Sequence, residues 1–117
     1  MAEAVARARY LRISPRKLRL VADQIRGKRV EDARAILHYT VQGGGSLLAK
    51  VLDAAVANAE HAATEKRERV DTEEMVVRRV VVDGGPTQHK YQSAPRGRAM
   101  RIRKRSSHVA VWIGDVE

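Results

Sequence analysis

The spacing of apolar positions changes several times along the chain, and each change marks an element. Residues 5–13 alternate loosely between apolar and basic positions, which predicts a strand carrying Arg7, Arg9 and Arg12. Ser14-Pro15 predicts a helix start, because a serine oxygen caps free N–H groups and proline fits the first helical position. Leu18, Val21, Ala22 and Ile25 follow at i, i+3, i+4 and i+7 as one apolar face, with Arg16, Arg19, Asp23 and Arg26 on another. Gly27 supplies the stop. A second, shorter helix buries Val30, Ala33, Ile36 and Leu37, and Glu31 and Asp32 favour its positive N-terminal end. Gly43-Gly44-Gly45 reads as a linker and Ser46 as the cap of a third helix. The core face of that helix is predicted to be Leu48, Val51, Leu52, Ala55, Ala59 and Ala62.

Residues 66–74 are charged and polar and read as a surface loop, and the valine-rich residues 75–82 read as a strand. Asp83-Gly84-Gly85-Pro86 is a turn, or a bend within a longer arm. Val109, Val111 and Ile113 alternate with His108, Ala110 and Trp112, the pattern of a half-buried strand. The order β-α-α-α-β-β predicts an α+β fold in which three helices pack on a three-stranded antiparallel sheet. Residues 1–117 read as one domain, with a protruding β-hairpin arm at about 84–105. A compact body of this length has a radius of gyration of about 13 Å. Paired from residue 75 to about residue 93, the late strands run for roughly 55–60 Å at about 3.3 Å per residue. They must outreach the body, with a free tip around Gln92-Ser93-Ala94-Pro95.

Charge gives the arm a meaning. The chain carries +9 overall, unevenly: residues 1–40 hold ten Lys/Arg against four Asp/Glu, residues 41–83 six against eight, and residues 84–117 seven against two. The stretch Pro95-Arg96-Gly97-Arg98-Ala99-Met100-Arg101-Ile102-Arg103-Lys104-Arg105 contains no acid. Burying even one unpaired charge costs several kcal/mol, so the segment lies in water or against a polyanion, and phosphate points to nucleic acid. A solvated charged hairpin is the plainer reading. Against it, Arg101, Arg103 and Arg105 alternate onto one face, where like charges repel and weaken a free hairpin. Arg16 and Lys17 are unfavourable at a helix N-terminus unless an anion is near. With only 3% aromatic residues, the protein is expected to read the backbone and shape of folded nucleic acid rather than stack unstructured strands.

Other chemistry finds little support. Cysteine is absent, and the core must be aliphatic, with no Phe, one Trp and three Tyr. The four histidines have no metal-ligand spacing, so no metal and no cofactor is expected. Gly43-Gly44-Gly45-Ser46 lacks the lysine of a phosphate loop. Asp23, Asp53, Glu60 and Asp83 form no acid/base pair, which argues against an enzyme. No apolar run resembles a signal peptide or approaches the roughly 20 residues of a membrane span. A soluble intracellular protein without a membrane partner is expected.

Several strings carry a family resemblance. They are Ile13-Ser14-Pro15-Arg16-Lys17, Arg19-Leu20-Val21-Ala22-Asp23, Ile25-Arg26-Gly27-Lys28 and Ala57-Asn58-Ala59-Glu60-His61. Val82-Asp83, Gly85-Pro86-Thr87, Gly97-Arg98-Ala99, Arg101-Ile102, Lys104-Arg105 and Ser107-His108 follow in order. Nearly end to end, the chain resembles the family of ribosomal protein twenty-two of the large subunit, in its short bacterial or organellar form. The resemblance implies a non-enzymatic structural protein in the cytoplasm (or an organellar matrix), monomeric within the ribosome and active in subunit assembly. It implies large-subunit ribosomal RNA as the main partner, with neighbouring proteins including protein four. It also implies that the hairpin reaches the wall of the nascent-peptide exit tunnel, near where macrolides bind.

On this reading Arg7, Arg9, Arg12, Ser14, Arg16, Lys17 and Arg19 anchor the body on RNA. Lys90, Arg96, Arg98, Arg101, Arg103, Lys104, Arg105 and His108 line the arm and its base. Tyr91, Gln92, Ser93, Ala94 and Pro95 form the tunnel-facing tip, where the family's usual proline is displaced and one arginine is missing. A histone-like DNA-binding protein with basic β-arms is the competing assignment.

Overall fold

The computed structural model describes residues 3–41, 43–67, 74–93 and 95–115. Strand β1 (Glu3–Leu11) leads to helices α1 (Pro15–Ile25), α2 (Val30–Tyr39) and α3 (Gly44–Glu65). Strands β2 (Val76–Gly84), β3 (Gln88–Ser93), β4 (Ala99–Lys104) and β5 (Ser107–Gly114) follow, and a single 3-10 turn (Pro95–Gly97) joins β3 to β4. The body sheet is antiparallel in the order β1-β5-β2, and β3-β4 form a separate two-stranded ribbon. This is the α+β arrangement the sequence predicts. The two late strands are each broken once, so that β2 continues into β3 and β4 into β5.

The helices cover one face of the sheet. Ala4 and Ala6 of β1, Val77, Val80 and Val82 of β2, and Val109, Val111 and Ile113 of β5 point into the core. There they meet Leu18, Val21, Ala22 and Ile25 of α1, Val30, Ala33 and Leu37 of α2, and the apolar stripe of α3. Ser14 caps α1 as expected, accepting from the Lys17 N–H at 3.5 Å. Gly27 has φ +76°, which suits glycine at the helix stop.

Four expectations about the helices and the first strand change. Strand β1 spans Glu3–Leu11, not 5–13, because the chain bulges at Arg9 and Tyr10 and then turns, with the Ile13 N–H donating to the Leu11 carbonyl at 2.9 Å. Ser46 is not the cap of α3. The helix begins at Gly44, and the Ser46 hydroxyl donates back to the Gly43 carbonyl. Nor are the glycines a linker: a Cβ on Gly44 would lie 3.1 Å from Leu18, and one on Gly45 would lie 3.0 Å from Thr40. They let the first turn of α3 press against α1 and α2. Finally, Ala62 is exposed, while Val56 and Ala63 are buried. Over six turns, steps of three and four keep 48, 52, 55, 59 and 63 on one line, and Ala62 falls to its side. The expected loop at 66–74 falls mostly outside the described residues.

The sheet has two open edges, and side chains bond carbonyls on both. The Arg19 guanidinium donates from Nε and Nη2 to the Val82 carbonyl at 3.2 and 2.8 Å. Arg26, two turns on, does the same to the Val80 carbonyl at 3.3 and 2.8 Å and also pairs with Asp23. Next to them, Gly27 N–H bonds Val77 O, Val77 N–H bonds Lys28 O, and Val30 N–H bonds Met75 O. On the other edge, Asn58 of α3 donates to the Val5 carbonyl at 2.9 Å. These edge carbonyls are thereby satisfied without a further strand.

Leu52, fully buried, should lose about 2–5 kcal/mol of folding free energy on replacement by Ala, read by urea denaturation. Ala62→Ser should stay within about 0.5 kcal/mol in the same titration, as an exposed site does.

Candidate nucleic-acid interface

The arm leaves the body through a neck where the hairpin ladder breaks. Body pairing runs out to Gly84 opposite Ser107, and arm pairing resumes at Gln88 opposite Lys104. Between them three residues, 85–87, stand opposite two, 105–106, and Pro86 has no N–H to give. Two bonds clip the gap: Gly85 N–H to Ser106 O at 2.9 Å, and Ser106 Oγ to Pro86 O at 2.6 Å. A Cβ on Gly85 would sit 2.5 Å from the Ser106 hydroxyl, so glycine keeps the clip possible. The next residue, Ser107, is buried and donates to Ile13 O at 2.6 Å, tying the β1–α1 turn to the same point.

Beyond the neck, every residue of β3 is exposed, and in β4 only Ile102 is partly covered. The molecule measures 67 × 26 × 18 Å, with a radius of gyration of 17.5 Å against about 13 Å for a compact chain of its length. The arm accounts for the difference. Its register sorts the side chains into two faces. Tyr91 pairs with Arg101 and His89 with Arg103 on one face; Lys90 pairs with Ile102 and Gln92 with Met100 on the other.

The tip lies farther out than expected. Gln92 and Ser93 are paired strand residues, and Ser93 faces Ala99. The chain reverses around Pro95-Arg96-Gly97, where Arg96 and Gly97 take φ +65° and +71°. Ala94 lies outside the described residues. Arg105 also moves: β4 ends at Lys104, so Arg101 and Arg103 share a face, whereas Arg105 sits in the neck.

Body and arm meet in an open cleft of about 900 Å³. The body supplies Arg12, Ser14 and Lys17, and the arm supplies Lys90, Arg103, Lys104 and Arg105. Among the described residues, six cations and no carboxylate line it. Charges this close lie within one Debye length, so each raises the cost of the others until an anion enters. The capped N-terminus of α1 opens on the same space, and its free N–H groups add to the positive potential. Chain topology makes this cleft, since Arg12 and Lys104 are far apart in sequence.

The other expected site residues divide. Arg16 is exposed on the first turn of α1, and Arg96 and Arg98 are exposed at and just past the tip. Arg19 is engaged with the Val82 carbonyl. Arg7, Arg9 and His108 lie on the sheet face that no helix covers. That face also holds residues the sequence reading missed: Trp112, with the Arg7 and Arg79 guanidiniums 5.7 and 4.9 Å from its ring centroid, and Tyr10, edge-on to His108 at 4.9 Å. Alternation around Ala110 marked Trp112 as outward, but only the strand order brings it beside Arg7 and Arg79.

The family model described as ribosomal protein L22p/L17e matches residues 6–114. The chain belongs to this family. It is 50% identical over 113 residues to the large ribosomal subunit protein uL22 of Desulfitobacterium hafniense strain Y51, covering 97% of this chain and 95% of that one. It is 49% identical over 114 residues to the uL22 protein of Maridesulfovibrio salexigens, covering 97% and 99%. The protein is a structural, non-enzymatic constituent of the large ribosomal subunit, associated there with ribosomal RNA and ribosomal proteins in the cytoplasm.

Arg19→Met should cost about 1 kcal/mol of stability by urea denaturation, because it uncovers the Val82 carbonyl. Arg103→Met, which removes no hydrogen bond within the described residues, should change it by less than about 0.5 kcal/mol.

Proposed function

We propose that the chain binds large-subunit ribosomal RNA at the neck, and that the arm runs on between RNA helices toward the exit tunnel. The observation that carries this reading is the acid-free cleft of six cations between α1 and the arm. Arg12, Arg16 and Lys17 hold phosphates from the body side. Lys90, Arg103, Lys104 and Arg105 hold them from the arm side, and Arg98, Arg101 and Arg96 extend the track to the tip. Backbone recognition of this kind suits A-form RNA, whose deep major groove side chains cannot read. Pro95, Arg96 and Gly97 at the reversal, with Tyr91, Gln92 and Ser93 on the strand leading to it, form the end that meets the tunnel wall, the nascent peptide and an extension of large-subunit protein four. Binding at the neck first and along the arm afterwards gives the protein its part in subunit assembly. The 117 residues act as one RNA-binding unit.

Co-sedimentation of tagged protein with ribosomal particles through a high-salt sucrose gradient tests the assignment. Retention in the large-subunit peak is expected, and release to the nucleoid fraction would favour a DNA-bound role. Replacing Arg98 and Arg101 by Ala should flatten the slope of log affinity against log salt by about 0.7–0.9 per lost phosphate contact. An unchanged slope removes those two from the contact set. Arm amides at 88–104 should exchange rapidly in the free protein and slowly in the ribosome, because a two-stranded ribbon without a core is marginal alone. Equal protection in both states would contradict that ordering step.

A further inference from the structure

The helix-free face of the body sheet holds a hollow that the neck does not use. It measures about 300 Å³ and crosses all three strands. Its floor is Ala110, which pairs with Arg7 on one side and Val81 on the other. Along β5 the outward residues on either side of Ala110 are Trp112 and His108, so one small residue between two large rings creates the depression. Its volume is at the small end for ligand sites, enough for one planar group and far too little for a duplex.

The walls are aromatic and cationic. Arg7 and Arg79 rest against Trp112, and neither has a carboxylate within 4 Å among the described residues. Packing on the ring restrains long side chains that would otherwise lose freedom when they bind a phosphate. At the other end, a β-bulge sets Arg9 and Tyr10 opposite the single residue His108, and the Tyr10 N–H donates to His108 Nδ1 at 3.1 Å. Tyr10 holds φ +59°, a strained conformation for tyrosine, and the residue is 65% exposed. Asp83, opposite His108 in register, places an acceptor-only carboxylate on the third side.

We propose that this hollow takes one unpaired base of folded RNA, with guanine preferred. The base slots over Ala110 between the Trp112–Arg7 wall and the Tyr10–His108 wall, since aromatic rings and guanidinium planes both serve as stacking surfaces for unstacked bases. Arg9 holds its phosphate. Asp83 accepts from the N1–H and N2–H of guanine, a pair of donors that uracil cannot match. Tyr10 lines both this hollow and the neck cleft, so a backbone held at the neck passes the mouth of the hollow. The inference rests on RNA binding at the neck and adds a base-specific contact to a surface that otherwise reads only backbone.

Trp112 is the only tryptophan, so its fluorescence reports on the hollow directly. The full chain is titrated with an RNA stem carrying one bulged guanosine, the same stem with bulged uridine, and the fully paired stem. The guanosine stem should change Trp112 emission and bind roughly tenfold tighter than the paired stem, the size of one base stack. Ala110→Leu, which fills the floor without altering charge, should abolish both differences while paired-stem binding persists. Asp83→Ala should erase the preference for guanosine over uridine even if the Ala110 variant fails to fold. Equal affinity for all three stems with unchanged emission would overturn the proposal, leave neck binding standing, and give this face to a neighbouring protein instead. Failure to bind any stem would overturn the neck reading and this one with it.

Discussion

Strand β5 is hydrogen-bonded along both edges, to β1 and to β2, and it continues through the neck into the arm. Its register therefore governs three surfaces at once. With Val109, Val111 and Ile113 inward, His108, Ala110 and Trp112 face away from the helices. A slip of one residue would bury His108 and Trp112 and expose the three aliphatic side chains, which the core cannot tolerate. Two adjacent serines pin that register where strand becomes neck. Ser107 bonds inward to the Ile13 carbonyl, and Ser106 bonds to the Pro86 carbonyl. The body core thus also fixes where the basic arm begins.

The cations of this chain are not interchangeable. Arg19 and Arg26 are spent on the open edge of β2, where an unpaired carbonyl row would invite another strand. Guanidinium suits the task because two of its N–H groups converge on one oxygen. Arg7 and Arg79 lean on Trp112. Among the described residues the neck cations have neither kind of partner, and six of them line a cleft without an acid. Net charge alone would have counted all of these alike. Their partners in the fold separate those that hold the protein together from those left to meet an anion.

Much of this was legible in the sequence, for physical reasons that differ by element. The faces of α1 and α2 were readable because burial follows helical period over short spans. On α3 the same rule drifted by the fifth turn, and Ala62 gave way to Ala63. Gly44 and Gly45 looked like a break because glycine is a poor helix former, yet here the absent Cβ allows three helices to meet. The arm was readable because a run of arginines without an acid has no place in a core. The neck cleft was not, since it joins residues about ninety positions apart and depends on the strand order. The tip was misplaced by about two residues because Ser93 can pair as well as turn, and Arg96 adopts a left-handed conformation that its residue type does not announce.

An arm of this kind has little reason to hold its shape alone. Its ribbon buries no core, Arg101 and Arg103 repel along one face, and the reversal at the tip uses a left-handed arginine. Among the described residues, the neck clip and the cross-strand pairs are what resist fraying. The same features become favourable against RNA, where phosphate screens the like charges and the extended ribbon presents both faces at once. One face offers Tyr91 and His89 with two arginines; the other offers Lys90 and Gln92 beside Ile102 and Met100. Such unlike faces can lie between two different surfaces, with the cationic side toward phosphate and the more apolar side toward bases or protein. The body sets the arm's origin and direction, and the charge left uncompensated along it is what the proposed polyanion would neutralise.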